Sequence, residues 1–391
     1  MADVILKNGE QARVVKGHPW VYDNEIDYIE GSYEPGDIVD VYDFRRHFIG
    51  RGYINPHSKI EIRIMTYSLE PINKDYFRRR ILDAWEYRLR FVDTSCCRVI
   101  FGEADLLPGL IVDKFGDYLV LQALTLGIDK FLTVIIEVLD EVFKPKGIYE
   151  RDDVPVRELE GLKQRKGFLK GEFDTKVEIF ENGIRMLIDI ENGQKTGYFL
   201  DQRENRAAIS PIAVDADVLD CFCNTGAYAL HACKFGAKSV IAVDISDEAL
   251  TYAKYNSKLN GFEDKIEYVC GNAFNVLHDY QRKGKLFDVV ILDPPAFAKS
   301  KKMISGAKRG YKDINLRAMK LIRPGGYLVT CSCSHYISPD MFQQVILEAS
   351  QDAGKLLKQV EFRTQAKDHP YLISYPESLY LKFGMYQVLN K

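Results

Sequence analysis

Residues 217–230 read DVLDCFCNTGAYAL, and this stretch decides the fold. An apolar run ends at Asp220, the chain has to turn tightly through Asn224-Thr225-Gly226, and a helical segment follows. The same alternation continues downstream. SVIAVD (239–244) leads to a helical segment at 246–259, and IEYVCGNA (266–273) is followed by FDVVILD (287–293). A helical segment near 311–322, GGYLVTCS (325–332), a helix at 339–353 and two final strands complete the chain. Runs such as VIAVD and VVILD are apolar throughout, the pattern of strands covered on both faces of a parallel sheet. Alternation of this kind predicts a doubly wound α/β domain with its ligand at the carboxyl ends of the strands.

Polar residues close successive strands at those ends. The first turn suits a small nucleoside but lacks the three glycines of a dinucleotide fingerprint, so an uncharged or zwitterionic ligand fits better than a pyrophosphate. Asp244 closes the next strand, with Ile245 after it, and a carboxylate there can accept both ribose hydroxyls of an adenosine. Asn272 and Ala273 close the third and are placed to flank the adenine. Any one of these could be a plain turn; three in order are harder to dismiss.

This order resembles the class I S-adenosylmethionine-dependent methyltransferases. The usual D-x-G-x-G-x-G stands here as Asp220-Cys221-Phe222-Cys223-Asn224-Thr225-Gly226, with only the last glycine kept. DxFxxTG followed by LDPPAF and SCS is similar to the ribosomal RNA 5-methylcytosine methyltransferases that carry an N-terminal PUA domain. The segment NGQKTGYFLDQRENR (192–206) and the ending AKDHPYLISYPESLYLK are similar to the same family. The resemblance implies a Rossmann-like methyltransferase sheet at 176–391, preceded by a PUA-like β unit at 1–72 and a middle α+β domain at 73–175. It implies S-adenosylmethionine as cofactor, held by Asp220, Phe222, Asn224, Thr225, Gly226, Asp244, Ile245, Asn272, Ala273 and Asp293. Lys195, Thr196, Phe199, Asp201 and Arg203 are carried over as further cofactor neighbours.

Asp293-Pro294-Pro295-Ala296-Phe297 and Cys333 form the expected catalytic centre. Carbon 5 of cytosine is not nucleophilic by itself. A thiolate adding to carbon 6 makes the ring an enamine that can take a methyl group, and an acid at N3 stabilises the adduct. The residues alone leave Cys331 and Cys333 open, since two positions apart they share a strand face. The resemblance implies Cys333 as nucleophile and Asp293 as the N3 partner, with Asp293 or water as the base. Two other readings stand beside this one: methylation of an exocyclic amine by DPPAF without a thiol, and a non-catalytic RNA-binding or ribosome-assembly factor.

Upstream, residues 1–70 read as short strands. In IEIRIM, Ile60, Ile62 and Ile64 share one face, and Glu61 and Arg63 the other. Phe77, Ile81, Trp85, Leu89 and Val92 make a helical stripe with Arg78, Arg79, Arg88 and Arg90 off it. Strands at 98–125 and an apolar helix near 129–143 follow, and the polar stretch 150–176 reads as a linker or two-stranded flap.

The chain has 391 residues, 46% hydrophobic and 28% charged, with a net charge of −3. This is a globular mix that excludes wholesale disorder and fibrous structure. The charge is uneven: residues 299–323 hold nine basic residues against one acid, Asp313. Following DPPAF directly, this run is placed for RNA phosphates, with Lys299, Lys301, Lys302, Lys308 and Arg309 as contacts and Phe297 to stack on the target base. Arg45 and Arg46 are weaker candidates, as are Arg51 and Arg78–Arg80. No apolar run reaches the ~18 residues of a membrane span, and Asp3, Glu10, Asp23 and Glu25 break any leader, so a cytoplasmic location is expected. Eight cysteines are too sparse for a disulfide scaffold. With C-x-C pairs but no C-x-x-C, they are expected as free thiols with no metal. Cys96, Cys97, Cys221, Cys223, Cys233 and Cys270 read as small buried hydrophobes, and His335 and His369 as surface histidines. A homodimer is compatible with the sequence.

Overall fold

A computed structural model describes residues 1–391. The chain forms two compact units, one of residues 1–177, 189–200 and 367–378, the other of residues 178–188, 201–366 and 379–391.

In the first unit a six-stranded sheet runs in the order Trp20–Tyr22, Ile60–Thr66, Phe48–Ile54, Ile38–Tyr42, Ala2–Leu6, Ile26–Glu30. A five-stranded sheet runs Lys166–Lys170, Gly147–Arg151, Tyr118–Ala123, Leu110–Phe115, Cys96–Phe101. Each sheet has its own apolar core. The two are tied together: the Tyr53 hydroxyl bonds Thr125 Oγ1 at 2.7 Å, and the buried Arg63 reaches Glu160 at 2.8 Å. The expected boundary near residue 72 therefore does not divide compact units, and segments 189–200 and 367–378 fold here rather than with the sheet that follows.

Four sequence readings are corrected in this unit. Arg63 is buried despite its polar register, because Glu160 and Glu103 neutralise it under the Trp20 ring. Leu89 is exposed and Arg88 is buried in its place in helix Lys74–Phe91, where Asp105 takes both guanidinium ends. The stretch 150–176 is neither a linker nor a separate two-stranded flap, since Lys166–Lys170 pairs antiparallel with Gly147–Arg151 as the edge strand of the five-stranded sheet. Its charges are spent on one another, with Arg157 on Asp152 and Asp129, and Arg165 on Glu150. His369 is also buried, paired with Asp368 at 2.8 Å.

The second unit contains the seven-stranded sheet. Its order is Ile266–Cys270, Ser239–Asp244, Asp217–Cys221, Phe287–Leu292, Ile322–Ser332, Lys382–Asn390, Lys355–Arg363. The first five strands are parallel, and Lys382–Asn390 runs antiparallel between Ile322–Ser332 and Lys355–Arg363. The helices between them start where the sequence provides caps. Ser246 accepts from Ala249 N, Asn272 from Phe274 N, and Ser338, before Pro339, from Met341 N. The order reverses at Asp217–Cys221, which opens a crevice at the carboxyl ends of this strand and of Phe287–Leu292. A cavity of about 610 Å³ lies at the opposite, amino ends, lined by Asp217, Ser239, Ile266, Phe287 and Arg323.

Candidate functional site

The turn after Asp217–Cys221 keeps a glycine-rich backbone with little glycine. Phe222, Asn224 and Gly226 all have positive φ, at 65°, 49° and 85°. These are the alternate positions at which D-x-G-x-G-x-G carries its glycines. Asn tolerates this region; Phe does so at a cost of about 1–2 kcal/mol. Phe222 also packs against the sheet core, which opposes that strain. At Gly226 a Cβ would lie 3.1 Å from Ala253 Cβ, so only glycine lets helices Ala227–Lys234 and Asp247–Leu259 approach here.

Asp244 holds this turn as well as closing its strand. Its two carboxylate oxygens accept from Asn224 N at 2.8 Å and Ser246 N at 2.9 Å. Each oxygen retains a second lone pair for a ligand hydroxyl. The adjacent Ile245 is 72% exposed, an apolar face on offer beside that carboxylate. Asp220 is fully buried; one oxygen accepts from Ala229 N at 3.0 Å and the other has no partner. Burial, with Asp293 nearby, pushes its carboxyl well above the usual range. Carboxyl groups at 220, 244 and 293, an orphaned buried oxygen and an exposed apolar side chain fit a cofactor that carries a sulfonium, an ammonium and an adenosine.

Strands Phe287–Leu292 and Ile322–Ser332 are parallel neighbours, with Leu292 opposite Thr330, so the register sets Asp293 level with Cys331, and Cys333 leaves the sheet two residues further on, against Pro294. The half-buried Cys333 thiol donates to the Pro294 carbonyl at 3.8 Å. Cys331 is fully buried, 3.9 Å from the Tyr228 hydroxyl, and burial beside Asp293 pushes its thiol well up. Asp293 accepts from Gln202 Nε2 at 2.9 Å. Gln202 is oriented in turn by Asn205 and Tyr228, which donate to its Oε1. Sequence reasoning passed over Gln202, although Asp201 and Arg203 on either side were singled out. The loop after Asp293 is pinned to the cysteine's turn by Ala298 N on Ser334 Oγ and by the Tyr311 hydroxyl, which contacts both Ser332 and Ser334.

A family profile described as a PUA-like domain matches residues 4–67, and one described as an S-adenosylmethionine-dependent methyltransferase matches residues 163–372. "Ribosomal RNA large subunit methyltransferase I" of Alteromonas mediterranea is 42% identical over 386 residues, 97% of each chain. The protein of that name from Vibrio cholerae gives the same figures. The chain belongs to the ribosomal RNA large subunit methyltransferase I family. Its fold matches that of a Streptococcus mutans S-adenosylmethionine-dependent methyltransferase with a TM-score of 0.85 at 19% identity, covering 99% of this chain and 100% of that one. A methyltransferase solved in complex with SAH matches with a TM-score of 0.86, again at 19% identity and with the same coverage. The protein is thus an S-adenosylmethionine-dependent methyltransferase.

In this methyltransferase the basic run is mostly helix. Ile304–Leu321 begins seven residues earlier than the sequence suggested, because its apolar stripe through Ala307, Tyr311, Ile314 and Ala318 is buried. Three of the nine basic residues are consumed by ion pairs: Lys312 with Asp352, Arg317 with Asp313, Arg323 with Asp217 and Asp288. Lys299, Lys301, Lys302, Lys308 and Arg309 carry none, and all but the half-buried Lys308 are exposed. Phe297 is half-buried, 4.6 Å from the Tyr311 ring and against Gly310, so at most one edge is open to a base. Arg46 pairs with Glu30, and Arg45 lies exposed over Phe44. Arg51, Arg78, Arg79 and Arg80 are committed to Asp40, Glu141, Glu70 and Asp83.

The segment 192–206 is divided between the units. Lys195, Thr196 and Phe199 belong to the first, where Thr196 is buried on Asp113 at 2.5 Å and Lys195 lies over the Phe199 ring. Asp201 and Arg203 belong to the second. Asp201 accepts from the Tyr380 hydroxyl at 2.6 Å, and Arg203 lies 3.8 Å from Glu181. Cys270 is exposed, contrary to its reading as a buried hydrophobe, because its strand is at the sheet edge. No helix is long and apolar enough to cross a membrane.

Proposed function

We propose that the protein methylates carbon 5 of a cytosine in large-subunit ribosomal RNA through a covalent Cys333 adduct. The relatives' names supply the RNA class. The observation that carries the chemistry is the contrast between two cysteines two residues apart: Cys331 is sealed among Tyr228 and the core, whereas Cys333 stays half-open against the Pro294 carbonyl of the DPPAF turn. Amine methylation needs no thiol.

The bound cofactor supplies an electrophilic methyl group. Asp244, with Ile245, orients its adenosine; Asp220 and the turn 222–226 face its charged end, and Asn272-Ala273 flank the base. Cys333 as thiolate adds to C6, and Asp293, aimed by Gln202, bonds N3 and the amino group of the resulting ring. After C5 takes the methyl, Asp293 or a water removes the C5 proton, the C6–S bond breaks and the thiolate returns. Lys299, Lys301, Lys302, Lys308 and Arg309 bind phosphates, with Arg45 and Arg46 as a second contact in the PUA-like part. The open edge of Phe297 steadies the everted base. Along the chain the work divides into recognition by 1–72, support by 73–175 within the same compact unit, and chemistry within 176–391, of which 189–200 and 367–378 fold with the first unit.

Mass-spectrometric nucleoside analysis of ribosomal RNA from cells with and without the gene tests this reading. Loss of 5-methylcytidine at one large-subunit site is the expected result. Loss of a methylated amine instead would move the reading to the thiol-free route.

A further inference from the structure

Lys382 is a lysine in an unusual place. It opens strand Lys382–Asn390, opposite Ser332 in antiparallel register, and is only 1% exposed. Its Nζ donates to the Ser334 carbonyl at 2.7 Å and the Tyr380 carbonyl at 2.8 Å. It forms no ion pair with a carboxylate, although burying an unpaired ammonium is costly. Two carbonyls use two of its donors, and an ammonium has a third. Ser334 is the residue after Cys333, so this lysine grips the backbone one residue beyond the thiol.

We propose, building on the covalent reading of Cys333, that Lys382 is its positioning residue: the buried ammonium fixes the Ser334 carbonyl directly after the cysteine and supplies the positive charge that holds Cys333 as thiolate.

The surroundings explain why a cation is needed. The thiol meets the Pro294 carbonyl, an electronegative oxygen that favours the neutral thiol over the thiolate, and the carboxyl of Asp293 is one residue away along the chain. Cys331 and Tyr228 lie beneath, and Tyr311 approaches from helix Ile304–Leu321 with its hydroxyl on Ser332 and Ser334. On the remaining side Tyr380 is bonded to Asp201, with His335 against its ring at 5.3 Å. None of these is a permanent cation. Burial pulls the Lys382 pKa down to about 8, and the Cys333 thiolate pulls it back up. The two groups are therefore coupled, each favouring the charged form of the other.

The test follows iodoacetamide alkylation of Cys333 against pH, quantified on the Cys333 peptide by mass spectrometry without RNA. Lys382→Gln keeps a donor for the carbonyls but removes the charge, and Lys382→Arg keeps the charge. At pH 7 alkylation should slow about tenfold in Lys382→Gln, the effect of one pKa unit, and stay within about twofold in Lys382→Arg. Unchanged alkylation in Lys382→Gln would overturn the proposal. A reciprocal measurement leaves Lys382 in place: in Cys333→Ser its ¹⁵Nζ titration should move to lower pH by the same amount. An unmoved titration would overturn the proposal equally. If Cys333→Ala still methylates RNA while the alkylation shift is present, the covalent reading fails and the coupling stands.

Discussion

Replacing Asp244 by Ala should damage two things at once, and the structure gives the size of each. The carboxylate accepts backbone N–H bonds from Asn224 at 2.8 Å and Ser246 at 2.9 Å. A hydrogen bond to a charged acceptor contributes about 1.5–3 kcal/mol net. Both here are partly open to water, which replaces some of what is lost, so the unliganded protein should lose about 2–3 kcal/mol. For a unit of this size that lowers the melting temperature by roughly 4–12 °C. Two ribose hydroxyls lose charged acceptors as well, about 3–6 kcal/mol together, or roughly 100- to 10,000-fold in affinity. Asp244→Asn should fall between, because its amide oxygen serves one N–H while its NH₂ opposes the other. Calorimetric titration with S-adenosylhomocysteine and thermal melts of the unliganded protein measure the two effects separately. Affinity within about threefold of wild type would remove Asp244 from the cofactor site. Weakened binding with an unchanged melt would show that the turn at Asn224 stands without it.

RNA carrying 5-fluorocytidine at the target should trap the wild type and Cys331→Ala covalently, since fluorine cannot leave as a proton, and should not trap Cys333→Ala. Trapping by Cys333→Ala on a denaturing gel would defeat the assignment. Changing Lys301, Lys302, Lys308 and Arg309 to Ala should weaken RNA binding and reduce its log–log salt slope by ~0.7 per lost single-strand contact, with cofactor affinity unaltered; an unchanged slope would make the run a solvated surface only. Gly226→Ala adds a Cβ 3.1 Å from Ala253 at φ +85° and should cost about 1–2 kcal/mol, visible as about tenfold weaker cofactor binding. His231 is buried against Glu181 and Arg206, and its pKa is lowered to about 4 from 6.5, chiefly by desolvation. The unfolded chain therefore takes up this proton first, and stability present above pH 6.5 should fall by up to about 3 kcal/mol toward pH 4. Denaturant melts of His231→Gln should lack this part of the slope.

What the sequence determined by itself is the order of the parts. Apolar strands ending at Asp220, Asp244, Asn272 and Asp293 are legible because a strand buried on both faces must be apolar and its end must be polar. The motifs DPPAF and SCS lie on single short segments, so chain position alone brings each to a strand end. Tertiary structure decided what depends on partners far along the chain. Cys331 and Cys333 look alike in sequence. They differ because Tyr228, from another helix, sits against the first, while the strand ends before the second. Gln202 and Lys382 carry no local signal, since one is aimed at a carboxylate 91 residues away and the other at a carbonyl 48 residues away. Glycines are missing at 222 and 224, yet the backbone keeps its left-handed path. Asp244, on the neighbouring strand, holds Asn224 in place, and the core holds Phe222. Arg63 and Arg88 read as solvent-facing because charge is ordinarily exposed. They are buried because Glu160 and Asp105 meet them there, 97 and 17 residues away. Hydrophobic periodicity records which side of an element is covered; only the folded chain determines which charges have found a mate under the cover.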